Sequence, residues 1–333
     1  MSAPVPLLQP VDHLEVQILV DNVSDSVSSG PAFVETEFAH HYRHGMQVLA
    51  GPCLCCATHG LSCLVTLRRG AQRRTVLFDT GPDEEVFRRN VARLQVDLGR
   101  VDAIVISHGH WDHAGALFAA LQLIRAGRGD VRVPIHMHPD MFHTRAMRSS
   151  SGAMQPFADV PGIEALRAAG GDVVLARQPE ALFDGWLQVS GEIPRLSSFE
   201  RGMPGQYRRI DGGDWEPDPL IMDERWLAVR VRDAGLVAMT ACSHAGVVNV
   251  LLHARANFPG VPLRCVLGGL HLAGENEDII PQTVQALREF TVASIAAGHC
   301  TGWRAMTALA NAFGDQVLVP LAVGKTLRFG RND

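Results

Sequence analysis

The seven residues Ser107-His108-Gly109-His110-Trp111-Asp112-His113 carry three histidines and one aspartate, directly behind the apolar run Ala103–Ile106. A short apolar run that ends in such a cluster reads as a buried strand delivering a site. Strand ends hold a loop rigidly while leaving it open to solvent. Three imidazoles and a carboxylate this close together would need too many buried partners to serve as core. Metal coordination resolves the conflict, because neutral imidazole nitrogen and carboxylate oxygen are donors that Zn²⁺, Mn²⁺ and Fe accept. Alternate residues such as His108 and His110 can point to one side, which leaves Asp112 and His113 to face a second ion.

The rest of the chain alternates between the two hydrophobic periods. Leu14–Val20, Leu61–Leu67 and Thr75–Phe78 read as strands, and the turn at Arg69-Gly70 predicts an antiparallel hairpin. Asp83–Leu94 and the Ala- and Leu-rich His113–Ala126, stopped by Gly127, read as helices. Val133–His138 is a further strand. From about 140 to 219 the chain is richer in Gly, Pro, Ser and Arg, with a short helix at Ile163–Ala169 and a strand at Leu187–Ile193. This stretch is expected to be an insertion or cap on a single domain spanning 1–333. Strands follow at Trp226–Val231, Leu236–Thr240, Cys265–Leu267 and Ser294–Ala296, with helices at Gly246–Asn257, Ile280–Phe290 and Trp303–Phe313. Two successive blocks of strands and helices predict an α/β fold, a four-layer αββα sandwich.

Composition removes several functions. The chain has 30 Lys+Arg against 35 Asp+Glu, a formal charge of −5, which argues against a nucleic-acid surface. No apolar run reaches the roughly 18 residues of a membrane span. Met1–Asp12 lacks the basic and apolar regions of a signal peptide, so a cytoplasmic location is expected. The seven cysteines, with Cys53, Cys55 and Cys56 clustered and the rest scattered, read as reduced thiols and not as a zinc knuckle.

His-x-His-x-Asp-His behind a buried strand, with Phe78-Asp79-Thr80-Gly81 upstream, resembles the metallo-β-lactamase superfamily. Five further motifs resemble its dihydropteroate-synthase-like branch: Leu19–Asn22, Thr58–Ser62, Gly191–Arg195, Cys242–Gly246 and Gly298–Gly302. The resemblance runs over nearly the whole chain and implies the same αββα sandwich with a two-metal site at one edge. His244, His271 and His299 each follow a predicted strand, as the first cluster does, beside glycines that permit close backbone approach. The implied ligand sets are His108, His110 and His244 for one ion and Asp112, His113 and His299 for the other. His271 is left as an alternate ligand, a proton donor or a substrate contact. The chain departs from the family where a later strand end usually supplies a bridging carboxylate. Here Thr240-Ala241-Cys242-Ser243-His244 has no Asp, so Asp112 is the only carboxylate ligand.

The expected cofactor is Zn²⁺, two ions, with Mn²⁺ or Fe as alternatives. Such a pair lowers the pKa of a bridging water and polarises the bond to be cleaved; Asp112 would also orient that water. Asp79 would accept a hydrogen bond from a ligand imidazole or from the loop backbone. Asn22, His59 and Arg195 are candidate substrate contacts, Arg195 as a bidentate clamp for phosphate or carboxylate. Lys325, the only lysine, lies in no phosphate-binding loop. The leading function is a dinuclear metal-dependent hydrolase acting on a phosphate ester, carboxylic ester or related small-molecule bond. The branch implies instead a pterin-pathway synthase that condenses a dihydropterin pyrophosphate with a ribofuranosyl-aminobenzene phosphate. An iron-dependent redox or sulfur-chemistry enzyme and a non-catalytic metal sensor are the remaining readings. The partner is a small molecule, phosphorylated or pterin-like, with neither nucleic acid nor membrane; a homo-oligomer is left open.

Overall fold

Two large sheets lie face to face in the computed structural model, which describes residues 8–210 and 212–330. The first has eight strands, in the spatial order Val34–Glu35, Thr326–Gly330, His13–Val20, Ser62–Arg69, Gln72–Phe78, Ala103–Val105, Val133–Met137 and Gly171–Leu175. The second has seven, in the order Glu180–Leu182, Leu187–Val189, Leu227–Val231, Gly235–Met239, Leu263–Gly269, Ile295–Gly298 and Leu318–Pro320. The expected hairpin is present, with Arg69 paired to Gln72 and Cys63 to Phe78.

Strand alternation builds the layers. Along Gly235–Met239, Val237 and Met239 enter the core between the sheets, while Leu236 and Ala238 face the helices Val247–Asn257, Ile280–Phe290 and Trp303–Phe313. In the first sheet Val76, Phe78 and Val105 point inward, and Leu77 and Ile104 meet the helices Glu84–Arg93 and Leu117–Arg128. Both faces of each sheet are therefore apolar, and helices cover the two outer ones: a four-layer αββα sandwich. Phe78 is fully buried in the central layer; truncating it to Ala would cost about 3–5 kcal/mol.

The stretch 140–219 is divided. Gly171–Leu175 and Glu180–Leu182 are edge strands of the two large sheets, and Leu187–Val189 lies next to the second of these edges. Only Thr144–Arg148, Met154–Pro156, Gln206–Arg209 and Trp215–Pro217 form a separate sheet of four strands. The expected helix His113–Ala126 is divided too. A short helix, Trp111–Ala114, precedes Leu117–Arg128. Between them Ala116 N donates to Gly81 O, so the backbone leaves the helical ladder. Gly115 packs so tightly on the Pro82 carbonyl that a side chain would not fit.

Gln72–Phe78, Ala103–Val105 and Val133–Met137 run parallel, as do Gly235–Met239, Leu263–Gly269 and Ile295–Gly298. The carboxyl ends within each set lie at one sheet edge, where α/β folds place their sites. Among the described residues, no helix is long and apolar enough to cross a membrane.

Candidate metal centre

Six strand ends converge on one site. Asp21 and Asn22 follow His13–Val20, Asp79 follows Gln72–Phe78, and the 107–113 cluster follows Ala103–Val105. Cys242 and His244 come after Gly235–Met239, His271 after Leu263–Gly269, and His299 and Cys300 after Ile295–Gly298. His108, His110, Asp112, His113, His244 and His299 are all buried.

Hydrogen bonds fix which ring nitrogens are bare. Ser107 Oγ donates to Asp79 Oδ2 at 2.7 Å, so it can only accept from His108 Nδ1, 2.9 Å away. His108 Nε2 then carries a lone pair. His110 Nε2 donates to Gln206 Oε1 at 2.6 Å, which leaves His110 Nδ1 bare. These two bare nitrogens face each other at 3.0 Å, and His244 Nε2 joins them 3.1 Å from His108 Nε2. Opposed lone pairs repel unless a proton or a cation lies between them. Burial, reinforced by His113 and His110, holds His108 well below the usual histidine range. Burial and Arg145 push His110 down to about 4. Protons are thus kept away at neutral pH, and the donor set suits a borderline divalent cation.

The second cluster is more acidic. His113 Nδ1 donates to Asp79 Oδ2 at 2.7 Å, and His299 Nδ1 donates to Asn22 Oδ1 at 3.0 Å. Their Nε2 atoms meet at 3.2 Å. Asp112 Oδ2 lies 3.5 Å from His113 Nε2 and 3.4 Å from His299 Nε2. Burial would depress His113, but Asp112 and Asp79 outweigh it and raise His113 to about 9. The same histidines hold the Asp112 carboxyl far below its ordinary range against the burial that would raise it. This half of the site attracts positive charge.

The remaining candidates divide. Asn22 and His59 belong to the site: Asn22 Nδ2 donates to His59 Nδ1 at 3.1 Å, and His59 Nε2 lies 3.3 Å from Asp112 Oδ2. Asn22 Oδ1 also accepts from Gly60 N, so Asn22 orients two rings at once. His271 lies at the site too, 3.5 Å from Cys242 Sγ through Nδ1. Arg195 does not. Its guanidinium donates to the backbone carbonyls of Ile193, Leu220 and Ile221, which makes it a structural tie and not a phosphate clamp at this centre.

Sequence reasoning missed the sulfur. Cys242 and Cys300, expected as scattered thiols, have their Sγ atoms 3.0 Å apart. Cys242 lies within 4.8 Å of donor atoms in three sets: His108 with His244, His113 with His299, and His271 with Cys300. The signal was its position, since Cys242 stands in the strand end where a carboxylate was expected and not found. Also missed were the carboxylates that grip the loops carrying these histidines. Asp223 accepts from Gly109 N, Glu224 from His244 N and Ala245 N, and Asp21 from His299 N. The consecutive charges Asp223-Glu224-Arg225 just before an apolar strand could have revealed two of them, because all three are fully buried.

A cavity of about 580 Å³ opens over the centre, walled by Trp111, Met147, Phe157, Met203 and Pro204. No lysine or arginine is among its described lining residues.

Comparison with known proteins agrees with this geometry. A 7,8-dihydropterin-6-methyl-4-(β-D-ribofuranosyl)-aminobenzene-5′-phosphate synthase of Methanocaldococcus jannaschii is 29% identical over 274 residues, covering 81% of this chain and 90% of that protein. The crystal structure of Tm1679, described as a metal-dependent hydrolase of the β-lactamase superfamily, superposes with a TM-score of 0.68 at 22% identity, covering 96% of this chain and 100% of that one. The metallo-β-lactamase fold protein YhfI from Bacillus subtilis gives a TM-score of 0.50 at 12% identity over 96% of this chain and all of its own. Residues 60–271 match the family model described as the Metallo-beta-lactamase superfamily; with its layers, strand-end donors and His/Asp cluster, the chain belongs to that superfamily.

Proposed function

We propose that the chain is a dinuclear metal-dependent hydrolase of a small-molecule ester bond, with zinc as the first assignment and manganese or iron as alternatives. The observation that carries the reading is the pair of bare nitrogens, His108 Nε2 and His110 Nδ1, held 3.0 Å apart where protons are disfavoured. His108, His110 and His244 would hold one ion, and Asp112, His113 and His299 the other. Bound divalent ions supply Lewis-acid charge and make water acidic enough to attack near neutral pH. The protein's own residues do the rest. Asp79 fixes the His113 ring directly and the His108 ring through Ser107. His59, half-exposed at the cavity edge, holds a proton at Nε2 toward Asp112 and can pass it to a leaving group. Trp111 and Phe157 wall the space a planar substrate would fill.

The pterin condensation is the second reading. It is favoured by the synthase relative aligned over 81% of this chain. Aromatic and Met walls suit a flat ring, and a pyrophosphate would find its countercharge in the ions, since the described lining has no Lys or Arg. The test is a screen of phosphodiesters, carboxylic esters and lactones with zinc- or manganese-loaded protein, beside a dihydropterin pyrophosphate with an aminobenzene acceptor. Turnover of any ester without a pterin supports hydrolysis. Turnover of the pterin pair alone replaces it with condensation.

A further inference from the structure

We propose that Cys242, His271 and Cys300 form a metal seat of their own, suited to a thiophilic ion, on the second-sheet side of the centre. The inference goes beyond the reading above, because it requires neither hydrolysis nor ions at the His/Asp sets.

The three donors come from the ends of Gly235–Met239, Leu263–Gly269 and Ile295–Gly298, adjacent strands of the second sheet. Cys242 Sγ lies 3.5 Å from His271 Nδ1 and 3.0 Å from Cys300 Sγ, and all three donor atoms fall within 4.8 Å of one another. Zn–S and Zn–N bonds of about 2.3 and 2.0 Å put tetrahedral ligand atoms roughly 3.5 Å apart, so small side-chain adjustments would close the set on an ion. There is no carboxylate in the group. Two sulfurs and one imidazole select for zinc, cadmium or cobalt over magnesium or calcium.

Two backbone features hold this arrangement. His271 has φ 46°, in the left-handed region that an L-residue enters at a cost. Gly269 leaves room for the second sulfur: a Cβ there would lie 2.6 Å from Cys300 Sγ. All three donors also line the cavity. A three-ligand set open on one side is the form of a site that keeps a position for substrate or water.

The probe is cadmium alone, added to the intact, reduced, metal-stripped chain while the ultraviolet thiolate-to-cadmium charge-transfer band is read. Wild type should develop the band, and Cys300→Ser should lose about half of its intensity while keeping the wild-type circular dichroism. A His110→Ala/His113→Ala variant disables both His/Asp sets and should keep the band. An unchanged band in Cys300→Ser overturns the proposal, as does loss of the band in the double histidine variant. Should Cys300→Ser not fold, X-ray absorption on wild type with one equivalent of cadmium decides: two sulfur neighbours support the seat, one or none refutes it. Failure of the dinuclear reading looks different: the histidine variant would then lose no bound ions relative to wild type.

Discussion

The two sheets bring different chemistry to one edge. The first sheet contributes a contiguous run of nitrogen and oxygen donors, from His108 to His113, all behind one strand. The second contributes five donors spread over three strand ends, and two of them are sulfur: Cys242 and Cys300. The first-sheet donors are oriented by side chains, Asp79, Ser107 and Gln206. On the second sheet His244 and His299 are placed through backbone amides, which Glu224 and Asp21 hold from behind, and Asn22 turns the His299 ring. One side is specified by local sequence and the other by packing.

The sharpest way to break this contrast is His113→Ala. It removes a donor and leaves the buried Asp79 carboxylate without its imidazole partner. Metal affinity, read by competition with a chelator, should fall by more than the about 100-fold typical of losing an outer partner. Asp79→Asn should come next, at about 10–100-fold. Asp79 orients His113 directly and His108 through Ser107, so both ions should weaken together. Weakening of one ion alone would refute the tautomer assigned to His108.

Arg195 and His59 separate fold from chemistry. Arg195→Ala should lower stability by about 1–3 kcal/mol in denaturant unfolding, because it strands carbonyls that now have a charged donor. Its KM should not move. His59→Gln should do the reverse, lowering kcat with little change in Tm. A KM effect in Arg195→Ala would return that residue to the site.

The smallest effect concerns pH. Glu200 receives the N–H groups of Val248 and Asn249 at the start of the helix behind His244. Burial raises it from 4.5 to about 7, with those bonds opposing. Its folded value lies above its unfolded one, so the folded chain holds a proton that the unfolded chain releases. The stability this contributes is complete below about 4.5 and is lost as pH rises through 7. Glu200→Gln should flatten that decline in urea midpoints measured from pH 4.5 to 8, and an unchanged slope would refute the shift.

How much was legible follows from the same contrast. Strand alternation marked ten of the fifteen strands in the two large sheets, missing the short or peripheral Val34–Glu35, Gly171–Leu175, Glu180–Leu182, Leu318–Pro320 and Thr326–Gly330. The His/Asp run marked the strand end where these side chains gather. Both signals are local in sequence. The break at Gly115 was hidden, since it depends on Gly81 and Pro82 across a loop. Arg195 was misplaced because a motif shows residue type but not direction. Cys242 and Cys300 are 58 positions apart, and only the parallel order of their strands brings them together. The roles of Asp21, Asp223 and Glu224 were hidden even where their charges stood out, because each grips a backbone amide and amides carry no sequence signature.

The contact between His110 and Gln206 has a consequence of its own. Gln206 belongs to the small four-stranded sheet, whose Met147 neighbours the cavity mouth. Its amide oxygen also decides which nitrogen of His110 is free. The orientation of His110 therefore depends on the seating of the small sheet. If His110 holds an ion as proposed, displacing the small sheet would weaken that ion, and by reciprocity the ion would tighten the small sheet by the same factor. Loading of the proposed centre and seating of the small sheet would then be two descriptions of a single equilibrium.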